Sequence, residues 1–107
     1  MHRLLLVLPI LLASAAFASA QEELKSQRQI EIIHLLKHDC GSCHGMRLEG
    51  GLGPALKPEQ LKNWSAEQLA VTIRYGRPGT PMPPWGPFLT EAEAIWLAQQ
   101  LKQGIQP

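Results

Sequence analysis

Hydrophobic positions in this 107-residue chain fall into one solid block, several periodic stretches and a proline-broken gap. The block is Leu4 to Ala16, 13 almost uninterrupted apolar residues behind the cationic Arg3. From Glu23 to about Asp39 the pattern predicts a helix, with Ile32, Ile33, Leu35 and Leu36 close to helical spacing. Ser65-Ala66-Glu67-Gln68 has the form of a capping box, in which Ser65 caps a helix and Gln68 reaches back. That helix carries Leu69 and Ile73 on one face and is expected to end near Gly76. Thr90-Glu91-Ala92-Glu93 is a second capping box, followed by Ala94, Leu97, Ala98 and Leu101 at i, i+3, i+4 and i+7, with Gly104 as a stop. Between these helices, Pro78, Pro81, Pro83, Pro84 and Pro87 exclude a helix or an interior strand from Arg77 to Pro87. Pro58 to Leu61 reads as a single helical turn, and Gly50 to Pro54 as a glycine-rich loop. The sum is an all-α domain.

The apolar block changes how the N-terminus is read. Arg3, the 13-residue run and the small residues Ala18-Ser19-Ala20 form a secretory signal, with cleavage expected after Ala20. A membrane-spanning helix needs about 20 apolar residues, which makes a retained anchor the weaker reading. Residues 1–20 are therefore expected to be removed, leaving 21–107 as one domain, exported and free of the membrane. A core that small is marginal by its own burial. With Arg3 gone, nine basic and nine acidic residues balance. No basic stripe is present of the kind nucleic-acid binding requires.

Candidate chemistry concentrates in Cys40-Gly41-Ser42-Cys43-His44. C-x-x-C-H is the attachment signature of a c-type haem: two thiols add across the haem vinyl groups, and the following histidine supplies an axial nitrogen. Three other readings compete. A disulfide of this spacing closes a tiny loop and stabilises little. A thioredoxin-like pair belongs at a strand-to-helix junction, and no convincing strand is found. A zinc site needs a second ligand pair; His34 and His38 are too close in sequence for an ordinary finger.

A six-coordinate haem iron also needs a ligand opposite His44. Met46 follows the histidine too closely to cross to the other haem face, while His34 and His38 stand i, i+4 on the first predicted helix. Met82 lies in Gly79-Thr80-Pro81-Met82-Pro83-Pro84, where prolines stiffen the segment and lower the entropy lost on presenting the thioether. A core-filling methionine is the bland alternative. A thioether ligand favours ferrous iron and suits electron transfer.

Taken together, these residues resemble the class I cytochrome c family over nearly the whole of residues 21–107. The shared pattern is a helix into Cys40–His44, then Gly53-Pro54, a middle helix, Met82-Pro83, and a last helix with Ile95-Trp96-Leu97. The resemblance implies a small fold of about four short helices wrapped around one covalent haem c, bound by Cys40, Cys43, His44 and Met82, with His44 and Met82 on the iron. It further implies that the Pro54 carbonyl accepts the Nδ1 proton of His44, and that Trp96 packs the last helix across the first. Ile32 stands where the family often has glycine, which leaves the helix crossing open to a wider geometry. Trp64, Tyr75 and Trp85 look like pocket residues able to reach a propionate, as do Arg74 and Arg77; plain packing or solvation is the competing reading for each.

The run Tyr75 to Trp85 is similar to small periplasmic monohaem cytochromes encoded beside haem-d nitrite reductase in denitrifying bacteria. That likeness implies a monomeric periplasmic electron carrier, not an enzyme. Its redox partners would be the nitrite reductase or the factors that mature its haem. A haem-based sensor of nitric oxide or carbon monoxide, with a labile sixth ligand, is the alternative.

Overall fold

The computed structural model describes residues 7–107, and the side chains of residues 13–23 and 25–107. Arg3 and the start of the apolar block lie outside the described residues. Helices are α1 (Val7–Leu35), α2 (Gly41–His44), α3 (Pro58–Leu61), α4 (Ala66–Tyr75) and α5 (Glu91–Lys102), and no strand is found among the described residues. Two compact units are distinguished, Met1–Glu31 and Ile32–Pro107. In the first, the backbone is helical from Val7 on through Ala20, and Arg28 pairs with Glu31 at 2.9 Å. No described helix is long and apolar enough to cross a membrane.

In the second unit the helix does not stop at Asp39 as the periodicity predicts. One π-helical turn, Leu36–Cys40, leads directly into α2, so the whole Cys40–His44 motif is helical. Gly45, at φ 91°, ends it; a Cβ there would lie 2.7 Å from the Gly50 carbonyl oxygen. The loop beyond is pinned by Leu48, buried despite a φ of 61°, whose carbonyl accepts from the Leu56 amide at 2.9 Å.

Both predicted capping boxes form. Ser65 Oγ accepts from the Gln68 amide at 3.0 Å, while Gln68 Oε1 accepts from the Ser65 amide at 2.9 Å. Thr90 and Glu93 make the same exchange at 3.2 and 2.9 Å. Such caps satisfy amides that have no partner within the helix. The inward face of α5 is the predicted one: Ala94, Leu97, Ala98 and Leu101 are all buried. They share a core with Ile32, Leu36, Leu48, Leu61, Leu69, Ala70 and Leu89, against which Trp96 is packed. Ile32 is thus a core residue, and the alanines at 94 and 98 are the small partners in that core.

Lys102, at the end of α5, donates to the Leu61 carbonyl at 3.0 Å and also to the Trp64 carbonyl. It closes the open C-terminus of α3, where carbonyls lack helical partners. The proline segment is tied to α4 in a similar way. Trp85 and Gly86 donate their amides to the carbonyls of Ile73 and Arg74 at 3.0 and 2.9 Å.

Candidate haem site

Helical spacing in the motif sets the first part of the site. Cys40 and Cys43 are three residues apart across the end of the π turn and α2, which brings them to one side. His44 follows at the end of α2, and the glycine-rich loop folds back over its ring. A Cβ at Gly53 would sit 2.8 Å from His44 Cε1 and 2.9 Å from Nδ1, so only glycine lets the backbone lie there. The Gly53 amide donates to the Cys43 carbonyl at 2.8 Å and holds the loop in place.

With the loop so placed, His44 Nδ1 donates to the Pro54 carbonyl oxygen at 2.7 Å. A carbonyl can only accept, which fixes the proton on Nδ1 and leaves Nε2 as the nitrogen with a free lone pair. The ring is thereby oriented by a hydrogen bond of the kind that positions metal-ligating histidines.

Cys40, Cys43, His44 and Met82 all line one cavity of about 420 Å³. That is the size of an ordinary cofactor pocket, roughly 300–1,000 Å³. Leu36, Leu56, Ile73, Leu97 and Leu101 make much of its wall, so it is mainly apolar. Burial pushes the Cys40 thiol from 9.0 up to about 11, with the neighbouring Asp39 carboxylate adding to the shift. Two unpaired thiols, one oriented imidazole and one thioether on an apolar cavity fit a covalently attached haem.

Other sequence candidates are sorted by the same cavity. Trp64, Trp85 and Arg77 line it. Tyr75 does not: it is exposed, with the Arg74 guanidinium 5.6 Å from its ring centre. Arg74 is turned away as well, its Nε donating to the Leu89 carbonyl at 3.2 Å. His34 and His38 are exposed neighbours, ring centres 4.3 Å apart and off the cavity, and Met46 is likewise exposed and off it. No group of three or more His, Cys, Asp or Glu placed to share a metal ion occurs among the described residues. Sequence reading missed Thr72, Thr80 and Leu52 as lining residues. Thr72 was detectable, since it lies three residues from Leu69 on the same helical face; Leu52, 92% exposed, carries no such signal.

A family model described as "Cytochrome C oxidase, cbb3-type, subunit III" matches residues 31–100. The chain belongs to the c-type cytochromes. Cytochrome c55X of Pseudomonas aeruginosa is 48% identical over 103 residues, 96% of this chain and 87% of the relative. The solved structure of the c-type cytochrome NirC superposes with a TM-score of 0.73 at 54% identity, over 76% of this chain and 96% of that one. The structure titled "Dihydro-heme d1 dehydrogenase NirN in complex with DHE" superposes with a TM-score of 0.62 at 36% identity, over 67% of this chain and 16% of that one. The all-helical fold is therefore a cytochrome fold, and the chain is a haem c electron-transfer protein rather than an enzyme.

Proposed function

We propose that Cys40 and Cys43 hold the haem through two thioether bonds, that His44 and Met82 take its axial positions, and that this cytochrome serves nitrite reduction in the periplasm. The observation that carries the ligand set is the convergence of all four side chains on one apolar cavity, with His44 already oriented by Pro54. When attached, the haem supplies a one-electron ferric–ferrous couple. The apolar wall keeps water from the site and disfavours the more highly charged state. Met82 contributes a neutral, soft donor that acts in the same direction. The Pro54 bond holds the His44 ring in one orientation through both states, so little has to rearrange.

Export follows from the leader reading: residues 1–20 direct the chain out of the cytoplasm, and cleavage after Ala20 frees residues 21–107. The partner reading is supported by a relative whose title names dihydro-haem d1 dehydrogenase and which contains a stretch similar to this chain. A dehydrogenation releases electrons that a one-electron carrier can accept. Oxidised cytochrome mixed with that dehydrogenase and dihydro-haem d1 should be reduced, seen in its visible bands. In a strain lacking the gene, the nitrite reductase should be short of its specialised haem. A nitrite reductase with full haem but slow turnover would assign the protein to electron supply instead. Normal haem content and normal turnover together would remove both roles.

A further inference from the structure

The Met82 segment is closed upon itself. Thr80 donates its amide to the Arg77 carbonyl at 3.1 Å, and the Arg77 amide donates to the Met82 carbonyl at 3.2 Å. Pro78 and Gly79, the latter at φ 80°, are the central residues of this turn, the arrangement a type II turn favours. The Thr80 hydroxyl donates to the Arg77 carbonyl at 2.7 Å and accepts from the Met82 amide at 3.3 Å.

Where this strap meets α4, glycine is required both by a φ of 69° and by space. A Cβ on Gly76 would lie 2.7 Å from the Met82 carbonyl oxygen, 2.8 Å from Pro83 C and 2.9 Å from Pro84 N. All three are backbone atoms, and none can swing aside as a side-chain tip can. At the strap's exit, a Cβ on Gly86 would lie 3.1 Å from the Arg74 carbonyl oxygen, again backbone. Gly79, at the tip, has nothing within 4 Å of the same position.

We propose that the backbone contacts of Gly76 and Gly86 with the strap and α4 seat Met82, making these two glycines positioning residues for the axial thioether. The inference rests on the reading of Met82 as iron ligand. Any side chain at 76 must lift the Met82–Pro84 backbone off α4, because the strap's turn is closed by its own hydrogen bonds and moves as a piece. A displaced strap carries the thioether with it. Gly79 supplies an internal control, since alanine there meets an unfavourable φ without a clash.

The test is imidazole binding to the ferric holoprotein, with the near-infrared methionine-to-iron charge-transfer band as a second readout. Gly76→Ala should bind imidazole roughly ten- to hundredfold more tightly than the wild type, and Gly86→Ala roughly three- to tenfold, from the usual effect of overpacking a close contact. Gly79→Ala should stay within about threefold, because a turn can change type locally. The band should weaken in the same order. Equal affinities across the series, or Gly79→Ala matching Gly76→Ala, overturn the proposal, since backbone strain alone would then account for the effect. Where Gly76→Ala fails to give folded holoprotein, the order of Gly86→Ala and Gly79→Ala decides. Met82→Ala separates the two levels. It should lose the band and bind imidazole more tightly than every glycine variant; a Met82→Ala protein that keeps the wild-type band and affinity sinks the ligand reading. A flat glycine series beside the expected Met82→Ala result sinks only the seating.

Discussion

At Gly53 a single missing methyl group connects the loop to the ring chemistry of His44. Gly53→Ala forces the loop away from the ring and stretches the 2.7 Å bond from Nδ1 to Pro54. The cost in stability should be about 1–3 kcal/mol. With less pull on its proton the imidazole becomes a poorer electron donor, so the reduction potential should rise. Voltammetry and thermal unfolding of the variant check the two effects, and an unchanged potential would separate the Pro54 bond from redox tuning.

Among the elements, α4 and α5 are the ones whose boundaries were written locally. Ser65 with Gln68 and Thr90 with Glu93 mark the two starts, and the four-residue stripe of α5 names its buried face correctly. Thr90→Ala or Ser65→Ala should each cost about 1 kcal/mol of unfolding free energy in denaturant titration, with no change in the haem spectrum. A spectral change would mean that these caps reach the site as well as the helices. The π turn at Leu36–Cys40 was not legible, because its widening follows from packing Leu36 and Cys40 against residues distant in sequence. For Tyr75 and Arg74 the sequence leaves two readings open, a reach toward a propionate or plain packing and solvation. Direction around α4 separates them: neither side chain lines the cavity. Cys40, Cys43, His44 and Met82 are legible as candidates because spacing in the motif and proline stiffening around Met82 are local properties. Their meeting on one cavity is not local, and required the fold.

For the whole molecule, the cavity is large in proportion to the domain around it. Without haem, the apolar wall of Leu36, Leu56, Ile73, Leu97 and Leu101 would face water and forfeit burial that stabilises by roughly 25 cal/mol per Å². Small domains have about 5–15 kcal/mol of total stability. The Cys40→Ala, Cys43→Ala double variant, unable to attach haem, should lose most of its far-ultraviolet helical signal. Retention of a cooperative unfolding transition in that variant would show that the polypeptide alone sustains the fold. Leu97 and Leu101 of the last helix belong to the cavity wall, and Lys102 beside them fastens the α3 end and the Trp64 turn. These residues stand more than fifty positions beyond the cysteines in sequence. Until α5 docks, the cavity lacks that wall and the Cys40 thiol stays open to solvent. Access to the attachment motif is therefore set by folding: it is open before α5 packs and shut afterwards.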